Sequence, residues 1–224
     1  MRRRRQLLDL IPRFGDARLT AGPLTRVIGL ALLIAASASC GSGVTTGRSP
    51  VYLVINSLQA ASGNHPTTLG GNLLSSVVTN VTSPPPCSTA TPCQIVFNDV
   101  GQVILAVSMK DVLVTPTTNN AVTITRYHID FVRADGRNTP GVDVPFGFDG
   151  GVTGTIQPGG TLTAGFEIVR HDAKLEPPLV GLVTNPGSII NTIANITFYG
   201  TDQVGNPISV TGSILVDFGN FANS

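Results

Sequence analysis

Hydrophobic and polar residues alternate along much of this chain with the two-residue period of a β-strand. From 161 to 168, leucine, alanine, phenylalanine and isoleucine take the even positions, while threonine and glutamate take most of the odd ones. From 208 to 218, isoleucine, valine and phenylalanine again alternate mostly with serine, threonine and aspartate. A strand with one apolar and one polar face covers a core on one side and meets solvent on the other. The pattern therefore predicts half-solvated antiparallel sheets.

Valine, isoleucine and threonine are abundant along the chain, and glycine- and proline-rich turns interrupt them about every ten to fifteen residues. Pro145 makes its segment an edge strand at best, because proline cannot donate a hydrogen bond to a neighbouring strand. Residues 73–81 also fit helical spacing, but their β-branched content and the preceding Gly70-Gly71 favour a strand. The predicted strands are 51–58, 73–81, 94–97, 102–109, 122–133, 144–148, 152–156, 160–170, 179–183, 192–200 and 208–218.

The predicted strand 122–133 changes its buried face midway. Apolar side chains occupy even positions up to Ile124 and odd positions from Tyr127 onward. A slip of one residue is the signature of a β-bulge, or of a strand that crosses between sheets. We expect the irregularity near Thr125 or Arg126.

Many short strands, frequent turns and no convincing helix predict an all-β fold, an antiparallel β-sandwich. The closing hairpin, with the turn Gly-Thr-Asp-Gln-Val-Gly-Asn at 200–206, resembles the end of an immunoglobulin-like or fibronectin III-like domain. The resemblance implies an immunoglobulin-like sandwich over residues 51–222, although the chain has no tryptophan for the Cys-Trp-Cys core of antibody domains. About 175 residues suit one domain, and two smaller sandwiches remain the alternative.

The first forty residues have the composition of an export signal. Arginines at 2–5 precede an apolar run at 27–36, which is too short to span a bilayer, and small residues follow it. Ala38, Ser39 and Cys40 resemble the lipobox of bacterial lipoproteins, in which leucine usually stands at the position of Ser37. The resemblance implies a signal peptide at 1–40, acylation of Cys40 and a lipid anchor in the membrane. Ordinary signal peptidase cleavage after Ala38 is the alternative, because residues 36–38 also fit the A-x-A rule.

The number of cysteines agrees with the lipoprotein interpretation. The chain has three cysteines, and acylation of Cys40 leaves Cys87 and Cys93 to pair in an oxidising compartment. We expect this disulfide to act as a staple of its loop. Residues 41–50 are small and polar, which predicts a flexible tether between the anchor and the β-domain.

Charge excludes one class of function. The whole chain carries a formal charge of +1, but seven of its fourteen basic residues precede Cys40. The rest of the chain has seven basic and eleven acidic residues, a net charge of about −4. Binding to nucleic acid needs clustered lysine and arginine, so the mature chain is not predicted to bind it.

Two groups of polar residues are candidates for chemistry. Arg126, His128 and Asp130 share one strand face, which is typical of solvated cross-strand ion pairs but also suits anion binding or acid–base catalysis. In and beside the most elaborate loop, oxygen ligands for calcium are available, although Asp and Asn also build turns through their own backbones. These weak calcium candidates are Asp135, Asn138, Asp143 and Asp149.

Together these patterns predict a non-enzymatic, exported, lipid-anchored protein of the bacterial cell envelope with a structural or protein-contact role. Its place would be the outer membrane or cell surface, or otherwise the periplasm or the medium. Its predicted partners are the membrane, through the lipid, and another envelope protein; no cofactor is predicted. The alternative is a ligand-binding module for a glycan or calcium that uses the region 135–149. Without tryptophan and with three tyrosines, a flat aromatic platform for sugars is hard to assemble.

Overall fold

Ten β-strands carry the fold of residues 47–221, the part of the chain that the computed structural model describes. The predicted signal peptide and Cys40 lie outside these residues. A short helix, α1 (His171–Lys174), and two 3₁₀ turns (Thr118–Asn120 and Leu179–Leu182) complete the described elements. The strands are β1 (Val51–Ala61), β2 (Asn72–Ser76), β3 (Thr79–Val81), β4 (Cys93–Ile95), β5 (Asp99–Met109), β6 (Val122–Val132), β7 (Phe148–Ile156), β8 (Thr161–Val169), β9 (Ile189–Asp202) and β10 (Pro207–Gly219).

The strands form two main sheets and one small one. One sheet has the order β1-β5-β8, the other has the order β2-β10-β9-β6-β7, and β3 pairs with β4. Among these strands, every pair is antiparallel except β2 and β10, which run parallel. Val103 and Leu105 of the first sheet share one hydrophobic core with Ile124, Ile196 and Phe198 of the second. The prediction of an all-β fold is therefore confirmed.

The closing hairpin forms as its sequence predicts. β9 and β10 pair from Thr201 opposite Pro207 to the far ends of both strands. The connecting turn is organised by Asp202, whose carboxylate accepts hydrogen bonds from the backbone N–H groups of Val204 and Asn206 and from the Asn206 side chain. Burial acts to raise the pKa of Asp202, but these hydrogen bonds outweigh it, so its pKa lies below the ordinary value.

The predicted β-bulge is also present. The register of β6 shifts between Ile124 and Arg126 against both of its neighbours, and against β9 this leaves Thr125 as the extra residue. Beyond the bulge, Tyr127 is buried and Arg126 is exposed. The bulge thus moves the polar side chains of β6 to the solvent face, where they form the site described below.

Three predicted strands are wrong in whole or in part. Residues 144–147 form a loop, because Pro145 cannot join a ladder, and β7 begins only at Phe148. The run 179–183 forms a 3₁₀ turn, in which Leu179 and Leu182, three residues apart, both reach the core. The predicted strand 73–81 breaks after Ser76 into β2 and β3. A short apolar run does not distinguish a strand from a buried turn by periodicity alone.

Different loops and turns lie at the two ends of the domain, which are called here the proximal end and the distal end. The proximal end is where residues 47–50 lead into β1, opposite the end of β5. It also holds the loop 110–121, the turn 157–160 and the turn 203–206, which are tied together by hydrogen bonds from Gly159 to Val107 and from Gln203 to Ala121. The distal end holds the loop 133–147 between β6 and β7, together with α1. Within the described range, no helix has the length and apolar character needed to cross a membrane.

Candidate functional site

A row of charged side chains runs along the solvent face of β6 and β7. Register places Asp149 of β7 directly beside His128 of β6. Asp149 Oδ1 lies 2.9 Å from Arg126 Nη1 and 3.3 Å from His128 Nδ1, and Asp130 Oδ2 lies 3.1 Å from His128 Nε2. The structure therefore brings together the predicted row and one of the four calcium candidates.

The charges in this row satisfy one another. Each nitrogen of the His128 ring faces a carboxylate oxygen, so both contacts are hydrogen bonds only when both nitrogens carry protons. Arg126 also lies over the Tyr199 ring, with its guanidinium carbon 3.8 Å from the ring centroid. Solvent-exposed pairs of this kind contribute about 0–1 kcal/mol each. The arrangement fits cross-strand ion pairs on a sheet face better than acid–base catalysis.

Arg170, at the end of β8, extends the row toward the distal end. Its guanidinium carbon lies 4.0 Å from the Phe148 ring centroid, and Nη2 donates a hydrogen bond of 2.7 Å to the Asp149 carbonyl oxygen. Its Nε lies 3.7 Å from Glu167 Oε2. Arg170 is thus held by stacking, by a backbone acceptor and by a carboxylate at once.

The remaining calcium candidates are occupied by local partners. Arg133 and Arg137 both hydrogen-bond the Asp135 carboxylate, which holds the pKa of Asp135 well below its usual range. Asn138 Oδ1 accepts the Arg133 backbone N–H, and Asp143 Oδ2 accepts that of Thr139. These side chains build the loop, as Asp and Asn commonly do. In residues 47–221, no three His, Cys, Asp or Glu side chains are grouped to hold a metal ion.

The loop 133–147 displays two apolar side chains at the distal end. Val142 is 68% exposed and Phe146 is 57% exposed. The Phe146 ring packs on Gly141, where an added Cβ would lie 2.6 Å from Cζ of the ring. Phe146 also borders a cleft of about 190 Å³ whose other wall includes Ala173 and Pro177. The absence of a side chain at Gly141 leaves the space that this exposed ring occupies.

The predicted disulfide is present. Cys87 and Cys93 are bonded and close a short loop. Cys93 begins β4 and stands opposite Val81 of β3, so the bond staples the smallest sheet. A two-stranded sheet has little stability of its own, which explains why a covalent link is useful there.

Sequence reasoning missed a buried ion pair between Asp99 and Lys174. The pair is 0% and 1% exposed, and Lys174 Nζ lies 2.9 Å from Asp99 Oδ2. Ser75 Oγ donates a hydrogen bond to the same carboxylate oxygen, and the Gly63 N–H donates to the other one. One carboxylate therefore ties together β2, β5, α1 and the loop after β1.

Burial lowers the pKa of Lys174, and the Asp99 carboxylate opposes this effect without cancelling it. A sequence signal for the pair existed, because Asp99 shares the odd phase of Val103, Leu105 and Val107, whose side chains are buried. No ordinary pattern identifies its distant lysine partner. Since both groups are sealed from solvent, the pair belongs to the interior of the fold and is not placed to meet a substrate.

No protein-family model matches the sequence, and no curated protein matches it.

Proposed function

We propose that this chain is an exported, lipid-anchored protein of the bacterial cell envelope. Its β-domain, an immunoglobulin-like sandwich, would make a non-catalytic contact with another envelope protein through its distal end. The observation that carries the proposal is the separation of two features. The chain joins the domain at the proximal end, and the exposed aromatic Phe146 is displayed at the distal end.

The anchor is supported by the sequence around Cys40 and by the position of residue 47. A chain held by a lipid at Cys40 meets the domain at its proximal end. That end then faces the bilayer, and the loop 133–147 faces away from it. An envelope protein that presents a contact surface to a partner needs this orientation.

The distal end has the composition of a protein contact. Val142 and Phe146 are exposed apolar side chains, and the charged residues Arg137, Asp172 and Glu176 are exposed on the same end. An apolar centre with a charged rim is the usual anatomy of a protein interface. The Phe146 ring lies against Gly141, so a residue larger than glycine at position 141 would displace it.

The immunoglobulin-like assignment is supported by two largely antiparallel sheets around one core and by the closing β9–β10 hairpin. The parallel pairing of β2 with β10 joins an early strand to the last one. This pairing makes β2 an edge strand of the larger sheet.

Lipidation is tested by metabolic labelling with a palmitate analogue. We expect label in the wild-type protein and none in Cys40→Ala, because the thioether to the lipid needs the Cys40 sulfur. Mass spectrometry of the mature N-terminus provides the control, since cleavage after Ala38 gives a chain that begins at Ser39. Recovery of that chain without acyl mass contradicts the anchor.

The contact is tested by a photoreactive amino acid placed at Phe146 in living cells. We expect covalent capture of one defined envelope protein from position 146. The matched control is Leu215, which is 56% exposed on β10 and so presents a similar apolar side chain away from the distal end. Equal capture from positions 146 and 215 contradicts a contact through the distal end.

A further inference from the structure

The loop after β5 exposes the two most solvent-accessible large apolar side chains of the described chain. Val112 is 89% exposed and Leu113 is 90% exposed. The loop is a built turn, because the Leu113 N–H donates a hydrogen bond of 2.9 Å to Asp111 Oδ1 and the Val114 N–H donates to the Asp111 carbonyl oxygen. The turn gives the backbone N–H groups of Leu113 and Val114 hydrogen-bond acceptors, while the side chains of Val112 and Leu113 extend into solvent.

The residues beside this tip are those that proteins place at a membrane surface. Lys110 Nζ lies 5.3 Å from the centroid of the exposed Tyr52 ring. Tyrosine and lysine combine an apolar body with a polar tip, which suits the level of the lipid headgroups. Val204, in the neighbouring turn of the proximal end, is also exposed.

The charge distribution fits a membrane that carries anionic lipids. The exposed charges of the proximal end are Arg48, Lys110 and Asp111, and its other carboxylate, Asp202, is buried and hydrogen-bonded. Most exposed carboxylates lie along the β6–β7 row or at the distal end. They are Asp130, Asp135, Asp149, Asp172 and Glu176. Counting Asp202, whose pKa is lowered, the proximal end has no net charge, whereas the rest of the described domain carries about −4. An anionic surface therefore repels the rest of the domain more strongly than the proximal end.

The length of chain between the proposed anchor and the domain sets the distance to the bilayer. Seven residues run from Gly41 to Gly47, and a chain of that length spans at most about 25 Å. The Gly47 carbonyl oxygen accepts a hydrogen bond of 3.3 Å from Lys110 Nζ, so the chain joins the domain beside the exposed tip. A lipid on Cys40 then keeps the tip within reach of the membrane at high effective concentration.

We propose that the loop 111–114 inserts Val112 and Leu113 into the interfacial layer of the bilayer that holds Cys40, with Tyr52 and Lys110 at the headgroups. The inference rests on the lipid anchor of the proposed function. It adds a second membrane contact, which fixes the orientation of the domain. A protein anchored at one point is free to tilt on the membrane, whereas two separated membrane contacts define which end faces outward.

The test uses the full-length protein, processed in cells, purified in detergent and reconstituted into vesicles of phosphatidylethanolamine and phosphatidylglycerol. An environment-sensitive fluorophore is attached through Leu113→Cys, and in a second protein through the distal, similarly exposed Val142→Cys. Both positions are exposed, so both variants keep the fold. We expect the emission at position 113 to shift to shorter wavelength on reconstitution and to be quenched by lipids with a quencher in the acyl chain. Position 142 should show neither effect.

Intact mass, measured on the same preparation, separates the two ways in which the idea fails. An acylated protein whose label at 113 stays in water overturns the inference and leaves the anchor standing. A protein without acyl mass overturns the anchor and the inference together. Equal shifts at 113 and 142 overturn a specific insertion. A shift at 113 that needs native membrane proteins, and is lost in protein-free vesicles, makes the loop a protein-docking surface instead.

Discussion

Replacing Asp99 with alanine is expected to lower the free energy of unfolding by about 3–5 kcal/mol, because it leaves the buried Lys174 without the Asp99 carboxylate. It also removes the acceptor of hydrogen bonds from Ser75 and Gly63, so two further polar groups lose a partner. Urea unfolding followed by circular dichroism gives the change as a shift in midpoint at constant slope.

The matched control is the double variant Asp99→Asn/Lys174→Met. Asparagine keeps an acceptor for the Gly63 N–H and can donate to Ser75 Oγ, while methionine replaces the lysine stem without its charge. Replacing a buried ion pair by a neutral pair of similar volume is often neutral or stabilising. We expect the double variant to regain most of the stability that Asp99→Ala loses. If both proteins are equally destabilised, the uncompensated charge is not the cause.

The same pair predicts how stability depends on pH. Burial holds the pKa of Lys174 below its ordinary value of 10.5, so between the folded pKa and 10.5 the unfolded chain binds more protons. Stability from this group therefore rises with pH; it is fully present above 10.5 and is lost as pH falls through the folded pKa. The stability of wild type relative to Lys174→Met should increase from about pH 8 to about pH 10. Burial also raises the pKa of Tyr127 above its ordinary 10.0, but Tyr127 is present in both proteins, so its effect on stability cancels in this difference.

Replacing Phe166 with alanine is expected to cost about 3–5 kcal/mol, the usual range for an aromatic ring removed from a core. The Phe166 ring centroid lies 5.3 Å from that of Tyr127 and 5.5 Å from that of Phe198, so the ring joins the two sheets. An exposed ring supplies the control. Phe146→Ala should change stability by about 0.5 kcal/mol or less in the same denaturation experiment.

Substitutions at Gly101 and Phe166 are expected to have coupled effects on stability, because the Phe166 ring lies over Gly101. The two residues stand opposite each other on β5 and β8, and a Cβ added at Gly101 would lie 2.3 Å from Phe166 Cζ. Gly101→Ala alone should cost about 1–3 kcal/mol through overpacking. In the Phe166→Ala background the same change should cost much less, because the ring that it would strike is gone. Additive costs would show that glycine is not there to accommodate the ring.

Local periodicity determined the parts of the fold that the sequence predicts well. The alternation of β8 and β10 and the turn residues of the last hairpin depend on neighbours close in sequence. The bulge at Thr125 was predictable for the same reason, since a phase change is visible within one strand. The faces of strands follow from such patterns, and the order of strands in a sheet does not.

Long-range partners were the parts that the sequence could not supply. Asp149 joins the row of Arg126, His128 and Asp130 only through the register of β7 against β6, which depends on the bulge and on an intervening loop. Lys174 is buried against Asp99, which lies on a distant strand. Because Lys174 stands in a polar segment of the sequence, no local pattern predicts its burial. The short apolar run 179–183 predicts a strand, but it contains a 3₁₀ turn at 179–182. Its leucines are buried in a core whose other residues are distant in sequence, so the local pattern does not distinguish the two structures.

The pairing of β2 with β10 sets the order of events during synthesis. β10 lies between β2 and β9, so the larger sheet has a gap at its interior until residue 219 has left the ribosome. β2 is synthesised early but cannot pair with β10 until the last strand is made, and contacts so distant in sequence form slowly. The export proposed above would benefit from this delay, because a chain whose larger sheet is incomplete is easier to thread through a translocation pore.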